Sequence, residues 1–220
     1  MHKFPSYIWL ILILAVFSIC ASEEKIMVKM HEKKMEVAHQ FRSFKTSLSE
    51  SDNLATFYKH EKTYFMPGSI EDVWSLYCEL GPKNMWSGPK NKFKSAYSKS
   101  SNTGYYKKED SIPSATEGMV YELKLKILKV IKVPVTFEIT KMSDESKVIE
   151  FTYGLENKSH GKQVLQFEST EEGTMITHTS FFKSGNKVRD KRLYPFFHEK
   201  CIDEFHENMI DWINNFASAS

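Results

Sequence analysis

The sequence predicts an α+β fold in which one curved antiparallel sheet packs against a long C-terminal helix. Five segments between residues 119 and 182 alternate apolar and polar side chains, as strands do when one face of their sheet is buried. Large apolar residues then recur every three or four positions from Leu193 to Phe216, which indicates a helix with one long apolar face. Because that face needs an equally long apolar surface, we expect the helix to lie on the sheet.

The first part of the domain predicts a strand followed by two short helices. Leu54 to Met66 is rich in Phe, Tyr and Thr and ends at a Pro-Gly turn, as a strand does. Ser69, with Asp72 three residues later, predicts a capped helix start, and Gly81 followed by proline predicts its end. A second short helix or turn is predicted from Asn84 to Ser87, before another Gly-Pro pair.

A polar stretch from Tyr97 to Glu117 precedes the alternating segments. It predicts a mobile surface loop, either a solvated insertion or a lid over one end of the domain. Asp190 is the expected start of the terminal helix. The five predicted strands are Met119–Ile127, Val133–Ile139, Ile149–Leu155, Gln163–Glu168 and Met175–Phe182.

Composition bounds the class of protein. The chain has 220 residues, 41% hydrophobic and 14% aromatic, which suits one folded domain and excludes a disordered chain. The chain has 30 basic and 28 acidic residues and no run of five like charges, so we expect no nucleic-acid partner. We expect a monomer.

Residues 1–22 predict a signal peptide. A basic start at His2 and Lys3 precedes the apolar run Tyr7–Ile19, and small residues follow it. Because a membrane-spanning helix needs about 20 apolar residues, cleavage is favoured, with a secreted or periplasmic product. Two alternatives stay open: an uncleaved anchor, and a lipoprotein acylated at Cys20, although Ile19 occupies a position where a small residue is preferred.

Residues 23–53 predict an amphipathic helical arm followed by a linker, and the domain proper covers residues 54–217. Charged residues separate the apolar positions of the arm, and the polar cluster Ser47–Asn53 ends its periodicity. Transient membrane contact through the arm is one possible use, although its lysines are balanced by glutamates. The apolar positions are Met27, Met30, Met35, Ala38, Phe41, Phe44 and Leu48.

Two short motifs resemble those of the START-like (SRPBCC) superfamily, which includes polyketide cyclases, the birch-pollen allergen family and lipid-transfer domains. Tyr64–Trp74 is similar to that superfamily's first strand, small-residue turn and following helix, and Glu172–His178 is similar to its last turn and strand. With the terminal helix, the resemblance covers most of residues 54–216. It implies a helix-grip fold, with a sheet curled around the long helix and an apolar cavity between them.

The implied function is binding or transport of a small hydrophobic ligand, such as a lipid, a sterol or a polyketide-like molecule. His178 is the best candidate for a polar anchor, with tyrosine hydroxyls to orient it. The alternatives are a cyclase- or hydrolase-like enzyme that uses the same cavity, or a protein or membrane interaction module with a solid core. The candidate ligand-binding residues are Tyr121, Leu123, Leu125, Val135, Phe137, Phe151, Tyr153, Leu165, Phe167, His178, Tyr194, Phe197, Phe205 and Met209.

Motifs for other chemistry do not occur. No Cys or His pair has metal-ligand spacing, and no phosphate loop, dinucleotide fingerprint or nucleophile elbow is found, so we expect no metal, no cofactor and no assigned catalytic residue. His198 and His206 are expected on the exposed face of the terminal helix. Cys78 and Cys201 predict buried thiols, with a disulfide as the alternative, and the sequon at Asn157 permits a glycan.

Overall fold

The computed structural model describes residues 6–49, 51–109, 111–127 and 131–217, with side chains from Glu24 to Asn215 in those ranges. Within these ranges, four α-helices and eight strands form one α+β unit, and a 3₁₀ turn at Leu54–Thr56 precedes the first strand. The helices are α1 (Ser6–Phe41), α2 (Ile70–Glu79), α3 (Pro82–Met85) and α4 (Tyr194–Ala217). The strands are β1 (Tyr58–Met66), β2 (Phe93–Ser98), β3 (Thr103–Tyr106), β4 (Met119–Ile127), β5 (Ile131–Ser143), β6 (Val148–Tyr153), β7 (His160–Ser169) and β8 (Thr174–Lys183).

All eight strands belong to one antiparallel sheet, in the order β1-β8-β7-β6-β5-β4-β2-β3. Register shifts between Phe93 and Ser95 in β2, and between Ile139 and Lys141 in β5, insert an extra residue in each strand. Bulges of this kind bend a strand and increase its twist, so they help the sheet to curve around α4. The predicted α+β class, with a curved antiparallel sheet and a long C-terminal helix, is confirmed.

Alternation of burial places the core on the concave face of the sheet. In β7 every second residue from Gly161 to Phe167 is buried, and the same period holds in β8 from Thr174 to Phe182. Helices α2, α3 and α4 cover this face. Trp86, which follows α3, stacks on Phe205 of α4 with ring centroids 4.0 Å apart, and Tyr77 of α2 meets Phe205 edge to face. These aromatic rings fill the space between α4 and the sheet at one end of the domain.

The start of α2 follows from its cap. The Ser69 hydroxyl accepts a hydrogen bond from the Asp72 backbone N–H at 3.2 Å and donates one to the Asp72 carboxylate at 2.7 Å. Ser69 therefore caps the helix, as its spacing from Asp72 predicts. The short helix α3 begins two residues earlier than predicted, because Pro82 serves as its first residue.

The loop prediction for Tyr97–Glu117 is wrong in part, since this stretch contains the edge strand β3. A four-residue strand rich in Tyr gives too short an alternation to be told from a loop. The arm covers this edge: Val37, Ala38 and Phe41 of α1 pack on the outer face of the sheet against Tyr97 and Val120. A helix over an edge strand protects its unpaired backbone groups.

Within the part of the chain that the structure describes, no helix is long and apolar enough to cross a membrane. The carboxyl-terminal end of α1 packs on the sheet, and large apolar side chains between residues 26 and 35 of this helix stay exposed. They include Ile26, Met27, Val28, Met30 and Met35.

Candidate functional site

An apolar cavity of about 120 Å³ lies between the first half of α4 and strands β4, β5 and β6. It forms at the end of the domain that the aromatic rings of Trp86 and Phe205 do not fill. Its walls are mostly apolar, and polar groups line it at the inner end, where Tyr153, Gln163 and Tyr194 meet, and near Arg189. The main wall residues are Trp86, Leu123, Leu125, Ile127, Val133, Val135, Phe137, Phe197, Cys201 and Ile202.

Three polar side chains lie together at the inner end of the cavity. The hydroxyl groups of Tyr153 and Tyr194 share a short hydrogen bond, and the Gln163 amide donates to the Tyr153 hydroxyl at 2.8 Å. Ser180 lies behind them, 3.1 Å from the Tyr194 hydroxyl. Burial is the main cause that raises the pKa of both tyrosines, so these hydroxyls stay protonated at neutral pH.

The hydrogen bonds continue from Gln163 into the core. His178 Nε2 lies 2.6 Å from the Gln163 carbonyl oxygen, His178 Nδ1 lies 2.9 Å from His206 Nε2, and His206 Nδ1 lies 2.7 Å from the Tyr77 hydroxyl. An amide oxygen only accepts, so His178 Nε2 carries the proton and donates. In neutral rings it follows that His206 Nε2 donates to His178 Nδ1 and that Tyr77 donates to His206.

Burial lowers the pKa of His178 and His206 well below the ordinary histidine value, because the core penalises the charged imidazolium. Both rings are fully buried. With neutral rings, every hydrogen bond from Tyr77 through His206, His178 and Gln163 to Tyr153 has one donor and one acceptor. The chain of bonds is therefore satisfied and fixes the orientation of the cavity's inner end.

His198 differs from the other buried histidines because it lines the cavity. Both of its ring nitrogens are buried without a hydrogen-bond partner among the described residues. The Tyr194 ring stacks on it at 4.9 Å, and burial lowers its pKa well below the ordinary value. A buried polar group without a partner costs roughly 1–3 kcal/mol, so a ligand that hydrogen-bonds it would recover free energy.

Arg189 lines the cavity and ties two segments of its wall together. Its guanidinium donates to the Lys158 carbonyl at 2.8 Å and to the Ser159 hydroxyl at 2.8 Å. These bonds join the π-helical segment Arg189–Leu193, which leads into α4, to the loop between β6 and β7. The Asn157 side chain accepts a hydrogen bond from the Thr136 backbone N–H at 3.1 Å and so holds that loop against β5.

Comparison with known proteins identifies the fold. No family model matches the chain, and no curated protein matches it in sequence. Among solved structures, ginseng major latex-like protein 151 from Panax ginseng is 11% identical, with a TM-score of 0.51 over 70% of this chain and 95% of that chain. The protein TTHA0849 from Thermus thermophilus is 15% identical, with a TM-score of 0.52 over 74% of this chain and 100% of that chain.

Norcoclaurine synthase from Thalictrum flavum, in complex with dopamine and hydroxybenzaldehyde, is 9% identical, with a TM-score of 0.53 over 76% of this chain and 95% of that chain. These likenesses extend over nearly the whole of each neighbour. The chain has the helix-grip fold of these neighbours. Identities this low establish the fold alone, so the function has to be argued from the cavity.

The 14 predicted ligand-binding residues fall into two groups in the structure. The first group lines the cavity: Leu123, Leu125, Val135, Phe137, Tyr153, Tyr194 and Phe197. The second group lies in the core, outside the cavity lining: Tyr121, Phe151, Leu165, Phe167, His178, Phe205 and Met209. Both groups lie on the side of their strand or helix that faces the interior of the domain. The second group does not reach the cavity, because the side chains of Trp86, Trp74 and Tyr77 fill the space in front of it.

Two predictions about histidines need correction. His206 is buried with no exposed surface, and His198 faces the cavity, so neither belongs to an exposed face of α4. Adjacent glutamates misled the sequence argument, although the i, i+4 spacing of His198 with the buried Ile202 and of His206 with Ile202 already indicated the apolar face. His178 is held on both ring nitrogens and does not line the cavity.

Cys78 and Cys201 are free thiols. Cys201 is buried in the cavity wall, and burial raises its pKa to about 12. Cys78 is half-buried on α2, and burial raises its pKa to about 11. Neither thiol is therefore activated as a nucleophile at neutral pH. The described residues contain no group of three or more metal-ligating side chains.

Proposed function

We propose that this domain binds a small apolar molecule that carries a hydroxyl group, with the apolar part in the cavity and the hydroxyl at its inner end. The observation that carries this proposal is the unpartnered His198 beside the paired tyrosine hydroxyls, in a cavity whose walls are mostly apolar. Such a site rewards one hydrogen-bonding group on an otherwise apolar ligand.

The cavity volume limits the size of the ligand. At about 120 Å³ the cavity is close to the roughly 150 Å³ apolar cavity that accepts benzene, and it is smaller than the ~300–1,000 Å³ sites of drug-sized ligands. A sterol or a long acyl chain would have to extend beyond the cavity. A single-ring phenol fits both the volume and the polar end. The solved neighbour with dopamine and hydroxybenzaldehyde bound holds molecules of this kind.

Binding is favoured over catalysis because the residue that a catalytic mechanism would use is withdrawn from the cavity. Both nitrogens of His178 are engaged by Gln163 and His206, and its low pKa leaves it neutral. Export of the domain, for which the apolar segment near the start of the chain is the support, stays a prediction.

The test compares p-cresol with toluene, which differ by one hydroxyl, by calorimetric titration of the purified chain. We expect p-cresol to bind about tenfold more tightly, because one recovered hydrogen bond at a buried site is worth roughly 1.4 kcal/mol. His198→Phe keeps an aromatic ring but removes both nitrogens, and we expect it to abolish the difference between the two probes.

A substitution that fills the cavity provides a second test. Val135 lines the cavity, so Val135→Trp is expected to remove binding of both probes, whereas Val188→Trp, at a 65% exposed position outside the lining, leaves binding unchanged. Equal affinity of the two probes, or binding that survives in Val135→Trp, would contradict the proposal.

A further inference from the structure

Seven lysines surround one groove on the surface of the domain, although the sequence contains no run of like charges. The groove has a volume of about 380 Å³, and Ser87 and Phe93 are its other lining residues. We call it the lysine groove. Its lysines are Lys83, Lys92, Lys94, Lys107, Lys124, Lys126 and Lys132.

Strand pairing places several of these lysines directly opposite one another. Lys92 and Lys124 exchange both backbone hydrogen bonds, at 3.1 and 2.8 Å, and Lys126 pairs with Lys132 across the β4–β5 hairpin. Like charges opposite each other in a sheet are destabilising. The fold therefore concentrates these charges at a cost to its own stability.

Carboxylates of the described residues do not neutralise the lysine groove. None of its seven lysines forms an ion pair with a described carboxylate, whereas lysines elsewhere, such as Lys62 and Lys99, do. Two acidic groups in the same region are already engaged: Glu122, which lines a depression with Lys94 and Lys107, accepts the Ser95 hydroxyl at 2.7 Å, and Glu109 pairs with Lys34 at 2.6 Å. The groove is thus open to an anionic partner.

Exposed apolar side chains border the lysine groove. A neighbouring depression shares Lys94 and Lys107 with the groove and is lined on its other side by Ile26 and Met30 of α1. Ile26 is 56% exposed and Met30 is 37% exposed. Lysines beside exposed aliphatic side chains are the composition of a surface that meets the interface of an anionic membrane.

The same hairpin connects the lysine groove to the cavity. Lys124, Lys126 and Lys132 alternate along β4 and β5 with cavity-lining residues, so the two sets lie on opposite faces of one ribbon. The cations are all lysines, which suits a diffuse field of lipid headgroups, whereas bidentate recognition of single phosphates is the strength of arginine. The cavity residues that alternate with the lysines are Leu125, Ile127 and Val133.

From these observations we propose that the lysine groove, together with Ile26 and Met30, is a docking surface for a membrane that contains anionic phospholipids. The proposal does not depend on what the cavity binds. Docking would hold the hairpin that forms one cavity wall at the lipid headgroups.

The experiment measures binding of the full chain to vesicles of pure phosphatidylcholine and to vesicles with about 30% phosphatidylserine. The apolar segment Tyr7–Ile19 contributes to both, so the ratio of the two affinities isolates the contribution of charge. We expect at least a tenfold preference for the anionic vesicles, reduced by high salt. Replacement of Lys92, Lys124, Lys126 and Lys132 by glutamine is expected to remove most of this preference.

A matched control removes the same charge elsewhere. Lys141, Lys187, Lys191 and Lys200 are exposed and lie outside the lysine groove, and their replacement by glutamine is expected to keep the preference for anionic vesicles. Thermal unfolding confirms that both variants fold, and removal of the like-charge pairs is expected to raise the melting temperature of the groove variant.

Three outcomes would overturn the proposal. The first is an equal affinity for neutral and anionic vesicles. The second is an equal loss in the groove and control variants, which would mean that net charge alone acts. The third is tight binding of a single-stranded DNA oligonucleotide that is lost in the groove variant without any preference for anionic vesicles, which would assign the groove to a nucleic acid.

Discussion

At the scale of single residues, Glu204 shows how one buried carboxylate fixes the wall of the cavity. It is 4% exposed on α4 and accepts the backbone N–H groups of Lys90 at 2.7 Å and of Asn91 at 2.5 Å. Asn91, which lines the cavity, then donates from its side chain to the Cys201 carbonyl at 2.8 Å. Gly88 leaves room for this arrangement, because a Cβ there would lie 2.5 Å from one carboxylate oxygen of Glu204 and 2.7 Å from the other.

We predict that Glu204→Gln lowers the free energy of unfolding by about 1.5–3 kcal/mol, since hydrogen bonds to a charged acceptor are lost and an amide N–H₂ then faces backbone donors. Urea denaturation measures the change. Glu207→Gln, at an exposed position one turn later on α4, is the control and is expected to change the free energy by less than about 0.5 kcal/mol. A loss of similar size in both variants would show that the Glu204 contacts are not the cause.

At the scale of elements, the arm illustrates what a periodic pattern leaves open. The apolar spacing of residues 25–48 indicates a helix but does not specify the surface that it covers. The sequence signal for that surface lies in Tyr97 and Val120. Their side chains are on the outward side of β2 and β4, where Phe41 buries them. Apolar residues at positions where a strand should present polar ones are a signal that another element covers them.

Gly104 in β3 permits the close approach of α1, because a Cβ there would lie 2.7 Å from the backbone nitrogen of Ala38. We predict that Gly104→Val displaces the arm and leaves the core of the sheet intact. Hydrogen exchange is expected to show loss of protection in residues 34–41 of α1 with little change in β6 to β8. Gly81→Ala, whose Cβ would meet its nearest neighbour at 3.7 Å, is the control. Protection of α1 that survives Gly104→Val would contradict this role.

At the scale of the whole molecule, the fold class was predictable and the extent of the cavity was not. Alternation and helical periodicity are local properties, and they place Leu123, Phe137 and Phe205 on the correct faces. Whether those faces leave a space depends on side chains from distant parts of the chain. The stacking of Trp86 on Phe205 fills one end, and no local pattern records that contact.

The lysine groove escaped the sequence argument for the same reason. Lysines that are far apart in the chain, such as Lys83 and Lys132, meet through sheet pairing and helix packing, so a search for runs of like charge does not find them.

The buried histidines give the whole molecule a predicted dependence on pH. Burial lowers the pKa of His178, His198 and His206 well below 6.5, with the charges of neighbouring groups as a smaller cause. As the pH falls below 6.5, these groups take up protons in the unfolded chain before they do so in the folded one. Folding stability is therefore fully present above pH 6.5 and decreases below it, by up to about 1.4 kcal/mol per pH unit for each histidine.

Urea denaturation between pH 7.5 and pH 5.5 measures this slope, in a range where carboxyl groups with ordinary or lowered pKa values, such as Asp52 and Glu61, stay ionised. His178→Gln removes one buried histidine and is expected to reduce the slope below pH 6.5 by about 1.4 kcal/mol per pH unit, whatever its effect on stability at neutral pH. His31→Gln, at an exposed position of α1, is expected to leave the slope unchanged. A stability that is flat from pH 7.5 to pH 5.5 would mean that protonation opens the hydrogen-bonded chain locally, without unfolding the domain.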